Sequence, residues 1–184
     1  MLYRWFPWVP GADVHEPGGA LYVPRFDQGG GRHDNPEVYG ALYLSRLPAS
    51  PVAEQLREYV GRPVEATRLL REGFPGALAA VDEEGLAELL DLDDPVNLAA
   101  RGLRPSGVAT RNRRLTQRMA LELYGEGVAG FEWWSTIEAA WINVTLFADR
   151  VTDRLQVADE PEPLTLDHAA VREAAEAVGV LLAS

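Results

Sequence analysis

The sequence predicts an α+β fold, on two observations. Strand-like runs occur early and late in the chain, and helix-like runs with caps and apolar stripes lie mostly between them. The chain has 184 residues, of which 47% are apolar, enough for a packed core. This length suits one domain, or a domain with a small appendage.

The strand predictions rest on short apolar or alternating runs. Early strands are predicted over residues 2–6 (LYRWF) and 40–45 (GALYLS), and late strands over 130–135 (GFEWWS) and 142–149 (INVTLFAD). In the last run apolar residues alternate with polar ones, as in a half-buried strand. Residues 7–40 are rich in Gly, Pro and Asp and are predicted to be mostly irregular, which in a compact domain usually indicates function or disorder.

Two helix predictions rest mainly on capping residues. Residues 49–60 are predicted to be helical, with Ser50 as the cap and Pro51 at the first helical position. Residues 93–102 form a second, shorter helix, which the Asp94–Pro95 pair opens and Gly102 ends.

The other segments follow from spacing and turn residues. Residues 110–127 give the clearest helical pattern, with Thr110 as a cap and glycines at the end. Residues 61–70 begin with turn signals and continue as a strand, and residues 82–92 fit either a short helix or the approach to a strand. An Ala-rich helix is predicted over 165–184.

The charge and composition exclude several classes of protein. The net charge is −11, from 28 acidic and 17 basic residues, so the chain lacks the basic character of general nucleic-acid binders. No run approaches the roughly 20 apolar residues of a membrane helix, and the N-terminus does not resemble a signal peptide. The absence of cysteine excludes disulfides, zinc–thiolate sites and a cysteine nucleophile, and fits a cytoplasmic protein.

No metal site or catalytic triad is indicated. The three histidines, His15, His33 and His168, are far apart and show no metal-binding spacing. The acidic run 91–95 (DLDDP) is predicted to be a loop that caps the following helix rather than a cation site. No G-x-S-x-G motif marks a serine nucleophile.

The run GGGRHDNP (29–36) has two interpretations that the residues leave open. Its glycines could bring backbone N–H groups to an anion, with Arg32 as a charged donor, or the run could be a plain turn.

The position of Glu54 on its predicted helix also leaves two interpretations open. It lies about 200° from Val52 on the helical wheel, so its carboxylate could face solvent or line a cleft. In EWWS (132–135) the tryptophans are predicted to pack in the core, one on each face of a strand.

Read in order, these segments resemble the RES domain, a bacterial family named for an Arg, a Glu and a Ser. The Arg lies in GGRHDNP, the strand ALYLS and the segment PVAEQL with its Glu follow, and GVAGFEWWSTIEAAWINVTLFAD comes late. The opening LYRWFP resembles the family's first strand, which carries another Arg. The resemblance covers about residues 2–150. We therefore predict a RES domain over 1–150, and a C-terminal extension over 151–184 that ends in a helix and packs on the same domain.

The resemblance has one departure and one ambiguity. The family usually has a large aromatic residue after the motif Arg, whereas this chain has His33. The segment PRFD (24–27) also resembles the motif. Arg32 is the better match because DNPEVYGALYLS follows it at the expected distance, and Arg25 is the alternative.

The resemblance implies a variant of the ADP-ribosyltransferase fold, in which helices surround a split, curved β-sheet that clasps NAD. It implies a toxin of a bacterial type II toxin–antitoxin pair that cleaves the nicotinamide–ribose bond by hydrolysis or phosphorolysis, with NAD as substrate and no cofactor. A protein ADP-ribosyltransferase and an inactive NAD-binding or structural homologue are the alternatives. The implied partner is a helix-turn-helix (Xre-type) antitoxin that blocks the active site. Direct nucleic-acid or membrane binding is not expected, and homo-oligomers remain open.

The resemblance also implies roles for particular residues. Glu54 would hold the ribose and stabilise an oxocarbenium-like centre, and guanidinium groups would bind the diphosphate. Tyr43 and Ser135 would contact the nicotinamide end. The implied catalytic residues are Arg32, Tyr43, Glu54 and Ser135, and the implied substrate-binding residues are Arg4, His33 and Asn143.

Overall fold

The computed structural model describes residues 1–71 and 73–183. Within them, strands and helices form a mixed α+β fold, as predicted, and the chain divides into two compact units. The first unit consists of Met1–Tyr22, Leu44–Asp82 and Gln156–Ser184, and the second of Val23–Tyr43 and Glu83–Leu155.

The strands are β1 (Leu2–Pro7), β2 (Ala41–Ser45), β3 (Leu70–Arg71), β4 (Phe74–Asp82), β5 (Leu90–Asp91), β6 (Gly130–Trp134), β7 (Ile142–Phe147), β8 (Gln156–Val157) and β9 (Glu162–Pro163). The helices are α1 (Ala49–Leu56), α2 (Pro95–Ala100), α3 (Pro105–Val108), α4 (Arg113–Gly125), α5 (Ala148–Val151) and α6 (Ala169–Val178). None of these helices is long and apolar enough to cross a bilayer.

In the first unit, β4 is the strand around which the others are arranged. It runs antiparallel to β1 from Leu2 opposite Val81 to Pro7 opposite Gly76, and it also pairs with β3, β8 and β9. β1 in turn pairs with the end of β2. Our sequence analysis assigned no strand to residues 74–82. Gly76 is required there because a Cβ at this position would lie 2.6 Å from Trp5 Nε1.

Two helices pack together in the first unit. α1 buries Val52, Ala53 and Leu56, and it contacts α6, which buries a stripe of small apolar residues: Ala170, Val171, Ala174 and Ala175. The small side chains let the helices approach closely. His168 caps α6 by accepting a hydrogen bond from the N–H of Ala170 (3.2 Å). The predicted tail helix is therefore present but shorter than 165–184.

The start of α1 differs from the prediction. The helix begins at Ala49 with Pro48 as its N-cap, and no side chain caps it, so Ser50 is not the cap. Ser50 is instead fully buried. The end of the predicted helix, Arg57–Tyr59, is a 3₁₀ turn. The strand predicted within residues 61–70 is also only partly right. A second 3₁₀ turn occupies Ala66–Leu69, and the strand β3 starts at Leu70.

In the second unit the strand order is β2-β7-β6-β5. β6 and β7 are antiparallel, with Trp133 opposite Asn143, and β5 is parallel to β6. Of the two interpretations of residues 82–92, the approach to a strand is right, because β5 lies at its end. Between β1 and β2 the chain forms turns and one 3₁₀ turn at Arg25–Asp27, in agreement with the predicted irregular segment.

The helices of the second unit cover an aromatic core. α4 directs Thr116, Met119, Ala120 and Leu123 inward, where a cluster of aromatic side chains is buried: Tyr39, Phe131, Trp133 and Phe147. Asp94 caps α2 as predicted, accepting a hydrogen bond from the N–H of Val96 (2.8 Å). The predicted cap Thr110 is wrong, because the N-cap of α4 is Asn112.

Candidate functional site

The glycine run is closed by a carboxylate of its own. Asp34 Oδ2 accepts hydrogen bonds from the N–H groups of Gly29 (2.9 Å) and Gly31 (2.5 Å). A Cβ on Gly31 would lie 2.4 Å from Asp34 Oδ1, so a side chain there would displace the carboxylate. Two of the N–H groups that could have cradled an anion are thus occupied. The structure supports the turn interpretation of this run.

The same carboxylate fixes Tyr43, on β2. The Tyr43 hydroxyl donates to Asp34 Oδ1 (2.6 Å) and accepts from the N–H of His33 (2.8 Å). Burial and the negative charge of Asp34 raise the pKa of Tyr43 well above its usual value. The phenol therefore stays protonated near neutral pH, and it joins the turn to the strand.

Arg32 is held by the segment between α3 and α4. The Arg32 side chain is buried, with only 5% of the residue exposed. Its Nη1 donates to the carbonyl of Thr110 (2.5 Å), and its Cζ lies 4.9 Å from the ring centroid of Trp133. The Thr116 hydroxyl donates to the Arg32 carbonyl. The guanidinium is therefore a fixed positive charge in an acidic chain.

His33 occupies an aromatic cage. Its ring meets Phe131 (4.8 Å) and Trp133 (5.1 Å) edge-on and stacks against Tyr43 (6.2 Å between centroids). Nδ1 lies 2.8 Å from Thr145 Oγ1, and Trp133 Nε1 donates to the same oxygen (3.1 Å). The imidazole is thus enclosed by aromatic side chains on three sides.

The electrostatics of His33 follow from this burial. His33 is fully buried, and its Nε2 has no hydrogen-bond partner among the described residues. Desolvation, and then the positive charges of Arg32 and Arg113, lower the pKa of His33 well below its usual value. The ring is therefore neutral near neutral pH. It packs against its aromatic neighbours and adds no positive charge to the site.

Ser135 and Asn143 also lie in the second unit. Ser135 directly follows β6 and is 2% exposed; its N–H donates to the carbonyl of Trp141 (2.7 Å), and its Oγ accepts from the N–H of Ile137 (3.1 Å). Asn143 lies on β7 and is 5% exposed. Arg32, His33, Tyr43, Ser135 and Asn143 therefore all belong to one unit, and their predicted roles stay predictions.

Glu54 and Arg4 lie in the first unit. Glu54 Oε2 is paired with Arg57 Nη1 (2.7 Å), whereas Glu54 Oε1 is buried and has no hydrogen-bond partner among the described residues. The carboxylate is therefore oriented by Arg57 and is only partly solvated. Arg4, on β1, donates to the carbonyls of Ala20 and Tyr22 (2.7 Å to Tyr22). Burial lowers the pKa of Arg4 to about 10, so it remains charged at neutral pH.

The alternative motif arginine has a different setting. Arg25 lies in the 3₁₀ turn, and its Nε donates to the carbonyl of Pro36 (2.5 Å). The following Phe26 is 84% exposed, unlike the caged ring of His33.

Within the described residues, no group of three or more His, Asp or Glu side chains is placed to hold a metal ion.

Several residues of this network were not identified from the sequence. Asp34 lay inside the quoted motif but was given no role, although it connects the glycine turn to Tyr43. Thr145 is a polar residue of β7 that faces inward. Its position within a predicted strand was the one feature of the sequence that could have drawn attention to it. Thr116 and Arg113 are recognisable only once α4 is placed beside Arg32.

A family model described as the RES domain matches residues 5–167 of the chain. A solved structure with a similar fold is the crystal structure of the M. tuberculosis MbcT–MbcA toxin–antitoxin complex, with a TM-score of 0.66 and 19% sequence identity, covering 97% of this chain and 88% of that chain. No curated protein matches. The likeness confirms the predicted fold class. The predicted division at residue 150 stays a prediction.

Proposed function

Because the chain belongs to the RES domain family, we propose that it is the NAD-consuming toxin of a bacterial toxin–antitoxin pair. The proposed reaction cleaves the bond between nicotinamide and ribose, with water or inorganic phosphate as the acceptor. The toxin in the structurally similar MbcT–MbcA complex supports this class. The substrate is cytoplasmic, and we propose that the protein acts there.

The observation that carries the proposal is the setting of Arg32. A guanidinium that is buried, bonded to a carbonyl and stacked on Trp133 has already lost its conformational freedom. Such a group binds a diphosphate at a lower entropic cost than a mobile surface arginine. The five-membered network of Asp34, Tyr43, His33, Thr145 and Trp133 keeps it in place.

The chemistry needs no strong general acid. The bond from ribose C1′ to the pyridinium nitrogen breaks, and its electron pair neutralises the nicotinamide as it leaves. An oxygen of water or phosphate then bonds to C1′, and a proton is released when water is the acceptor. The cation-like centre at C1′ is stabilised by a nearby carboxylate, as in glycoside hydrolysis.

The family pattern assigns that carboxylate to Glu54. Its Oε1 is buried and unpartnered among the described residues, which leaves an acceptor for a ribose hydroxyl. Arg57 holds Oε2 and fixes the orientation of the carboxylate. In the same proposal Arg4 joins Arg32 in binding the diphosphate, and Tyr43, Ser135, His33 and Asn143 contact or position the nicotinamide ribose.

The proposed partner is an Xre-type antitoxin that blocks access to NAD. Toxicity is then measured as loss of growth on expression of the chain, and rescue as recovery when a helix-turn-helix protein encoded beside it is co-expressed. Rescue without a physical complex would contradict this part of the proposal.

The enzymatic proposal is tested by incubating purified protein with NAD, with and without phosphate. ADP-ribose indicates hydrolysis, ADP-ribose phosphate that appears only with phosphate indicates phosphorolysis, and ADP-ribose on an added host protein indicates transferase activity. We expect Glu54→Gln to abolish NAD loss and Glu58→Gln, an exposed control in the turn after α1, to leave it unchanged. A folded wild-type protein that leaves NAD intact would refute the proposal.

A further inference from the structure

Positive charge is concentrated around α4. Residues 101–118 contain six of the chain's 17 basic residues, all arginines, and no Asp or Glu occurs from Pro95 to Leu121. The whole chain has a net charge of −11. This segment therefore carries a net positive charge in a chain whose net charge is negative.

Few of these arginines are neutralised within the chain. Arg101 pairs with Glu126 (2.9 Å), and Arg118 pairs with Glu122 (3.1 Å) in an exposed contact that contributes little. Arg104, Arg111 and Arg114 are exposed, and their guanidinium groups make no hydrogen bond or ion pair with the described part of the chain. At least three guanidinium groups are thus available to an external partner.

The exposed face of α4 is not purely basic. Arg114 and Arg118 are four residues apart, and Leu115 and Leu121 flank them at 49% and 38% exposure. Residues at this spacing share one side of a helix. The opposite side carries the buried residues already described. We define the α4 surface as Arg111, Arg114, Leu115, Arg118 and Leu121.

We propose that the α4 surface docks a segment of a partner protein in which carboxylates alternate with apolar side chains. Guanidinium groups bind carboxylates with two parallel hydrogen bonds, and the two leucines would be covered by the apolar residues of the segment. The leucines favour a protein over a nucleic acid, because phosphates cannot cover them. The negative charge elsewhere on the chain also repels a long polyanion.

The test uses the full-length protein and labelled peptides, with binding measured by fluorescence anisotropy. The probe is a short peptide in which Glu and Leu alternate. Matched peptides carry Gln for Glu or Ser for Leu, and a short duplex DNA tests the nucleic-acid alternative. This test needs no enzymatic activity, so its result is separate from that of the proposed function.

We expect Arg114→Glu combined with Arg118→Glu to weaken peptide binding by at least about tenfold, because each reversal turns attraction into repulsion. Leu115→Ser combined with Leu121→Ser should weaken it several-fold, and raised salt should weaken it further. Arg154→Glu, an exposed charge reversal outside the surface, is the control.

Two results would overturn the inference. The first is equal affinity for the wild-type protein and the Arg114→Glu/Arg118→Glu variant. The second is DNA that binds as tightly as the Glu–Leu peptide and is unaffected by the leucine changes. Circular dichroism establishes that each variant is folded, and Arg111→Gln combined with Arg114→Gln is the milder variant if the reversal unfolds the protein.

Discussion

Replacement of His33 by Phe should remove a specific pH dependence of stability. The imidazole is fully buried among Phe131, Trp133 and Tyr43. Phe can occupy the same aromatic cage but cannot take up a proton. The substitution also loses the contact with Thr145, so the variant is expected to be less stable at every pH.

The magnitude follows from proton linkage. Below its ordinary pKa of 6.5, the imidazole is protonated in the unfolded chain but stays neutral in the folded chain, where its pKa is well below that value. The unfolded state then binds more protons, so stability is full above pH 6.5 and falls as the pH drops toward the folded pKa. One unit below 6.5, the loss due to His33 is about 1.4 kcal/mol.

The measurement is urea unfolding followed by tryptophan fluorescence, at about pH 7.5 and about pH 5.5. The free energy of unfolding should fall by about 1.4 kcal/mol more in the wild type than in His33→Phe between these conditions. His15→Gln removes an exposed histidine and should behave like the wild type. Equal pH dependence in the wild type and His33→Phe would refute the reasoning, as would an NMR titration in which the His33 ring gains its proton near pH 6.5 in the folded protein.

Three further predictions concern the same free energy of unfolding, measured in urea. Tyr43→Phe should lower it by about 1–3 kcal/mol, because Asp34 and a buried N–H lose their shared partner; no change would contradict the network. Gly31→Ala should destabilise through its contact with Asp34, whereas Gly30→Ala, whose Cβ would meet nothing within 4 Å, should not; equal effects would contradict the assigned turn. Gly179→Ala should cost about 1 kcal/mol because Gly179 has φ of +75°, and a neutral result would contradict that conformation.

Local signals predicted some elements and failed on others for physical reasons. The Asp94–Pro95 pair predicted the start of α2 because a cap is a contact between near neighbours in sequence. Ser50 looked like the same signal, yet it is buried and α1 starts before it, since tertiary packing decided the boundary. β4 was missed because its Gly76 resembles a turn residue, whereas it is required by the nearby Trp5 ring.

The candidate site shows the same division. Arg32 and Tyr43 could be chosen from the ordered family pattern. In the structure Tyr43 belongs to the network and Arg32 contacts it through Trp133. The role of Asp34 could not be read, because a carboxylate in a Gly-rich run is equally compatible with a solvated loop. The contact of His33 with Thr145 joins residues 112 positions apart, and no local pattern encodes it.

The departure from the family pattern at position 33 is therefore accommodated by its surroundings. An aromatic ring there would need only an apolar cage, whereas imidazole also needs a partner for Nδ1, and Thr145 supplies one. Thr145 Oγ1 also accepts from Trp133 Nε1, so this one hydroxyl contacts both the imidazole and the indole. Trp133 also supports the Arg32 guanidinium. His33, Thr145 and Trp133 thus form one contact network that positions Arg32. The effects of substitutions at these three residues on Arg32 should therefore be non-additive in free energy.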